Sequence, residues 1–258
     1  MGAFDADLLI VNSAELVTPT NGTSSLDVMK KGALAVSEGK IAWVGRSEDA
    51  RRLCRGSRPE VFDVAGKTIL PGFVDSHTHL VFAGTREDEL ELKLRGVPYL
   101  EILKRGGGIL KTVRHTRRAT RHELVRAGSK FLDNMLLHGT TTVEAKSGYG
   151  LSVKDELKIL EVIKELHRKH SVDVFPTFLG AHAIPAEFKG RTNEYVDLVV
   201  DEMIPRVAEE RLAVFCDVFC EEEVFSVEHS RRILRAAKDF GFKLTIHADE
   251  ISRLGGAE

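Results

Sequence analysis

The chain is expected to be an α/β protein in two parts. A small sheet-rich domain covers residues 1–66, and a parallel α/β barrel of alternating strands and helices covers 67–258. Three observations lead there. Up to Leu70 the apolar residues fall in short runs divided by turn residues. Beyond His77 the runs alternate with amphipathic helical stripes. The residues able to carry chemistry collect at the carboxyl ends of successive predicted strands, where α/β barrels assemble their sites.

Bulk properties fit an ordinary globular protein. At 258 residues, 43% hydrophobic and a formal net charge of −2, the chain can bury a real core and offers no electrostatic reason to expect a nucleic acid or an anionic membrane as partner. No apolar run approaches membrane-spanning length, and the amino terminus lacks a basic segment followed by an apolar core, so the expected compartment is the cytoplasm. Cys54, Cys216 and Cys220 are too few and too irregularly spaced for a disulfide framework and are expected to be reduced.

In chain order, strands are expected at Asp7 to Val11, at Ala33 to Val36 paired with Ile41 to Val44 across Glu38-Gly39-Lys40, and at Val61 to Val64 paired with Thr68 to Leu70 across Ala65-Gly66-Lys67. Asp49 to Leu53 is a short helix, and Trp43 and Phe62 are core candidates. Beyond the histidines, Glu87 to Leu94 and Tyr99 to Lys104 have helical character, with Gly106-Gly107-Gly108 as a breaker. Thr120 and Glu123 form a capping box for a helix from Arg121 to His138, stopped by Gly139. A strand from Thr140 to Val143, a helix from Ser152 to about His170 and a strand from Asp173 to Leu179 follow. Glu194 to Val207 is helical, with Pro205 bending or ending it, and Ala213 to Phe219 is a strand. Ser226 caps a last helix ended by Gly241, before a strand from Phe242 to His247.

The stretch Leu70-Pro71-Gly72-Phe73-Val74-Asp75-Ser76-His77-Thr78-His79 organises the rest. Histidines at i and i+2 leave a strand on one face, and imidazole nitrogen is a preferred ligand for zinc and iron. The plain alternative is a pair of partly buried, hydrogen-bonded histidines. A third imidazole, His247, closes a later strand, with Glu250 three residues on. Tyr149, His182 and Glu221 stand at other strand ends, whereas His115, His122, His138, His167, His170 and His229 fall in or beside helices and are expected at the surface or in packing.

The first of these segments resembles the opening barrel strand of the amidohydrolase superfamily. Together with Gly84-Thr85-Arg86-Glu87-Asp88-Glu89, Glu144-Ala145-Lys146-Ser147-Gly148-Tyr149-Gly150-Leu151, Thr177-Phe178-Leu179-Gly180-Ala181-His182, Asp217-Val218-Phe219-Cys220-Glu221 and His247-Ala248-Asp249-Glu250, it resembles the imidazolonepropionase family over essentially the whole chain.

That resemblance implies an amidohydrolase-type (β/α)8 TIM barrel with a small β-sandwich domain. It implies hydrolysis of 4-imidazolone-5-propanoate to N-formimidoyl-L-glutamate in histidine degradation, with one zinc or iron ion as cofactor. Under it His77, His79 and His247 are metal ligands, Arg86, Tyr149 and His182 contact the substrate, and Glu250 transfers protons. Each role suits the side chain: a bound divalent ion activates water, a carboxylate can shuttle its proton, an imidazole can donate to a carbonyl oxygen, and a guanidinium fork fits a propanoate.

Plainer readings stand beside these. Arg86 can be a salt-bridge partner of Glu87 and Glu89, Tyr149 a rim aromatic, His182 a core histidine and Glu250 a helix cap. Lys146 is a candidate carboxylated lysine, but the superfamily carries that residue on the fourth barrel strand, so a single ion is expected. The family continues for three further strand and helix units, with a sixth-strand histidine and an eighth-strand aspartate. The expectation is therefore a barrel truncated after about five strands, aggregation-prone and inactive alone, and a homodimer in the full-length form. Two other readings remain: a different deaminase or cyclic amidase of the superfamily, and a non-catalytic fragment.

Overall fold

The computed structural model describes residues 4–19, 25–54, 58–98, 101–102 and 107–258. The chain divides into two compact units, Met1–Gly72 and Phe73–Glu258.

The first unit is a β-sandwich region of two sheets. One is ordered β5-β4-β1-β6, from strands Leu8–Val11 (β1), Gly32–Ser37 (β4), Lys40–Arg46 (β5) and Glu60–Asp63 (β6). The other is ordered β3-β2-β7, from Glu15–Pro19 (β2), Leu26–Lys30 (β3) and Thr68–Ile69 (β7). Helix α1, Ser47–Leu53, adds Ala50 to a core of Leu9, Val11, Ala33, Ala35 and Trp43. The β4–β5 hairpin turns at Glu38 and Gly39 with φ of 51° and 74°, the backbone sign that matches the twist of the flanking strands.

Two expectations for this unit are corrected. Val61 to Val64 does not pair with Thr68 to Leu70. Instead β6 pairs parallel with β1, and β7 pairs parallel with β2 in the other sheet. The connecting Ala65-Gly66 turn delivers the chain from one sheet to the next, a choice that no local signal distinguishes from a hairpin. Phe62 is exposed rather than in the core, because β6 is an edge strand with all four residues exposed. Strands β2 and β3 were not anticipated.

The second unit is a curled, five-stranded parallel half-barrel. Its order is β12-β11-β10-β9-β8, from Phe73–Thr78 (β8), Thr140–Lys146 (β9), Asp173–Ala181 (β10), Phe215–Cys220 (β11) and Lys243–Leu244 (β12), and the short β13, His247–Ala248, resumes pairing with β11. The fifth predicted strand is thus interrupted between Leu244 and His247.

Helices cover the outer face. They are α2 (Glu87–Leu94), α3 (Ile109–Arg118), α4 (Arg121–Leu137), α5 (Val153–Lys169), α6 (Thr192–Leu198), α7 (Ile204–Glu209) and α8 (Val227–Asp239). The capping box of Thr120 and Glu123 starts α4 as expected. The helix expected over Glu194 to Val207 is broken into α6, a π-turn at Val199–Met203, and α7 with Pro205 in its first turn. Proline has no N–H for the preceding turn, and the wider π-turn accommodates its ring. Most of the helix expected at Tyr99 to Lys104 lies outside the described residues, and α3 was not anticipated.

Leu157, Leu160, Ile163 and Leu166 of α5 meet Val143, Val174 and Phe178 of the sheet in the main core. Fully burying each such side chain contributes about 1.5–3 kcal/mol. That packing holds the strand ends in fixed register, and the strand ends hold the site.

Candidate metal centre

Three imidazoles meet where β8 ends and β13 begins. The rings of His77 and His247 stand edge to face with centroids 4.5 Å apart, and their Nε2 atoms are 2.9 Å apart. His79 joins them, so that one donor atom from each of the three lies within 4.8 Å of the others. Two ring nitrogens that close repel through their lone pairs unless a proton or a cation lies between them. His79 Nδ1 is buried with no hydrogen-bond partner among the described residues. Burial, reinforced by the neighbouring His182, pushes the His79 pKa down to about 2, and His77 is lowered by burial and then by His247. Neutral, convergent imidazoles are the form that binds a metal, so the donor set fits a divalent cation.

On the far side of His79 lies a second group. The His182 ring stacks on His79 at 4.8 Å, and Tyr149 is 5.4 Å from His79 and 5.2 Å from His182. Tyr149 and His79 line a cavity of about 310 Å³ with Phe82, Thr85, Arg86 and Thr112. Arg86 precedes α2, 3.9 Å from the buried Glu89, whose carboxylate also accepts the Gly108 N–H at 2.9 Å.

His182 Nδ1 bonds the Gly148 carbonyl at 2.9 Å, and in the neutral ring this makes Nδ1 the protonated nitrogen. Burial lowers the His182 pKa to about 4. Gly148 adopts φ of 104°, and a Cβ there would sit 2.9 Å from His182 Nδ1 and from the Leu179 carbonyl oxygen, so only glycine allows this approach. The loop carrying Tyr149 is clamped by Glu156 at the start of α5, which accepts the N–H groups of Gly148, Gly150 and Leu151 at 3.0, 2.7 and 2.8 Å.

A second cavity, of about 410 Å³, is lined by His77, Lys146, Asp217, Thr245, His247 and Glu250. Glu250 is exposed on the loop beyond β13. Its neighbours Ile251 and Ser252 donate their backbone N–H groups to Glu221, both at 2.9 Å. Lys146 is 3% exposed, with Nζ 2.6 Å from Glu144 Oε1 and 2.7 Å from Asp217 Oδ2. An ammonium held between two carboxylates is accounted for as a cation and not as a carboxylated metal bridge.

A sequence model described as Amidohydrolase family matches residues 68–255, nearly three-quarters of the chain. The chain belongs to the amidohydrolase family. Among named relatives in that family, it is 52% identical over 260 residues to an imidazolonepropionase of Alkaliphilus metalliredigens, covering 98% of this chain and 62% of that one. Against an imidazolonepropionase of Clostridium tetani, the identity is 46% over 259 residues, with the same coverage of 98% and 62%. The chain thus spans about three-fifths of the length of these relatives.

Among solved structures, 5-methylcytosine deaminase from Klebsiella pneumoniae liganded with phosphonocytosine superposes with a TM-score of 0.64 at 17% identity, covering 94% of this chain and 52% of that one. Guanine deaminase of E. coli superposes with a TM-score of 0.55 at 16% identity, covering 92% and 61%. At such identities the likeness concerns the fold alone.

Of the sequence-predicted site residues in this amidohydrolase chain, the structure brings His77, His79 and His247 together and sets His182, Tyr149 and Arg86 along one flank and Glu250 along the other. Glu221, expected among the chemical residues, is occupied with the backbone of the Glu250 loop. Glu144 and Asp217 were not singled out. The i, i+2 spacing of Glu144 and Lys146 on one strand was the available signal, but Asp217 comes from β11, 71 residues beyond Lys146. Among the described residues, no helix is long and apolar enough to cross a membrane.

Proposed function

We propose that the protein is an imidazolonepropionase, hydrolysing 4-imidazolone-5-propanoate to N-formimidoyl-L-glutamate in histidine degradation. One observation carries the reading: three convergent imidazoles adjoin a cavity that presents both a guanidinium and a phenol. His77, His79 and His247 would hold the ion, zinc or iron. Such an ion supplies Lewis acidity, making water a competent nucleophile near neutral pH.

The chain's own residues do the rest. Arg86 binds the substrate carboxylate through its planar fork, and Tyr149, lining the same cavity, orients the ring. Glu250 takes a proton from water and returns it to the departing ring nitrogen. His182 has its Nδ1 proton committed to the Gly148 carbonyl, which leaves Nε2 for contact with the substrate. A neutral base such as guanine has no carboxylate for Arg86 to bind. The same reading carries a small-molecule substrate, a cytoplasmic location, a homodimer in the full-length form and no nucleic-acid partner.

The test is turnover by the full chain, purified with its metal content measured, of imidazolone propanoate against guanine and hydantoin. Preference for the propanoate-bearing substrate with one zinc or iron per chain is expected. Preference for guanine or hydantoin, or activity without metal, would overturn the proposal.

A further inference from the structure

We infer that Asp217, held by Lys146, is a positioning residue that fixes the tautomer and orientation of His247. The inference rests on the reading of His77, His79 and His247 as a metal site, and it concerns residues outside that ligand set.

Asp217 is 1% exposed, and each of its oxygens has a specific task. Oδ1 accepts the N–H of Val218 at 2.8 Å, which locks the carboxylate against its own strand. Oδ2 receives Lys146 Nζ at 2.7 Å and lies 3.0 Å from His247 Nδ1. The last contact is within ion-pair reach, although His247 Nδ1 makes no hydrogen bond of ordinary geometry. Lys146 is held in turn by Glu144, which also accepts from Thr177 Oγ1. The chain Thr177, Glu144, Lys146, Asp217 and His247 crosses β10, β9, β11 and β13.

A neutral imidazole carries one ring proton and can offer a metal only its other nitrogen. Asp217 is a pure acceptor beside Nδ1, so it draws the proton to Nδ1 and leaves the lone pair on Nε2, the atom that faces His77. Without that carboxylate the ring can protonate Nε2 and turn its donor into the ligand position. Lys146 keeps Asp217 from swinging away, and with the half-buried Glu144 it makes a trio of net charge −1 beside the cation site.

Asparagine cannot replace this carboxylate. With its amide oxygen towards Lys146 and His247, its NH2 opposes the Val218 N–H. Flipped, the NH2 opposes both the ammonium and the ring N–H.

The test is Asp217→Asn in the full chain, with zinc titrated against a chromophoric chelator. A loss of about 10- to 100-fold in zinc affinity is expected, the usual effect of removing a carboxylate that supports a ligating histidine. A merely structural role would lower the melting temperature of the metal-free protein and leave the zinc affinity of the folded fraction unchanged. An affinity within about twofold of wild type therefore overturns the inference while leaving the metal site standing. Wild-type protein that binds no zinc overturns the metal site and the inference with it. Should the variant not fold, 15N NMR of zinc-loaded wild type decides: His247 protonated on Nδ1 is expected, and protonation on Nε2 overturns the inference.

Discussion

Glu156→Ala removes, from a residue 1% exposed, the acceptor of three backbone N–H groups in the loop that carries Tyr149. Each buried donor left unsatisfied costs about 1–3 kcal/mol. Some of that is recovered as the loop relaxes towards water, so a loss of about 3–5 kcal/mol is expected, measured by urea unfolding of the full chain.

Glu156→Gln separates the contributions. Its amide oxygen can keep Gly150 and Leu151, which share Oε1, while its NH2 meets the Gly148 N–H that Oε2 accepted. That opposition of donors costs about 1–3 kcal/mol.

Burial also holds the Glu156 carboxyl above its ordinary value of 4.5. A carboxyl with a raised folded pKa binds its proton more tightly when folded. Its contribution is complete below the unfolded value and is lost as pH rises through the folded one. Glutamine does not titrate, so the stability gap between wild type and Glu156→Gln is expected to narrow as pH rises above the ordinary carboxyl value of 4.5. An alanine variant losing less than about 1 kcal/mol, or a gap that widens with pH, would refute the reasoning.

Two further outcomes are expected. Arg86→Met removes a charge-assisted contact of about 1.5–3 kcal/mol and should raise KM for a carboxylate-bearing substrate about 10- to 100-fold with a smaller effect on kcat, whereas a KM within about threefold would remove Arg86 from substrate binding. Glu221→Gln should speed hydrogen exchange at the Ile251 and Ser252 amides and lower kcat more than it changes KM, because those two N–H groups tether the segment that bears Glu250; unchanged exchange would contradict it.

How far the fold was legible varies with the range of the interaction that decides each element. The capping box at Thr120 and the periodicity of the helix after Ser152 are local, and the structure agrees with both. The pairing of β6 and β7 with different sheets is not local: Val61 finds Leu9 and Thr68 finds Glu15, each about 50 residues away, and a Gly turn serves either route. Phe62 shows the same limit, since a strand pattern does not reveal which strand will be an edge.

The order of the candidate site residues along the chain was legible in the sequence: histidines at i and i+2 after an apolar strand, a third near a later strand end, and Arg86, Tyr149, His182 and Glu250 in motifs that can be read without coordinates. Those features are short-range, or repeat with the period of strand and helix, and so survive as patterns. Only the tertiary structure decided what each group faces. Curling of the parallel sheet brings His247 to within 2.9 Å of His77 across 170 residues, and sets Asp217 and Lys146 behind it. The physical reason is that side-chain proximity across strands depends on register and curvature, which arise from the packing of the whole core and leave no mark at any single position.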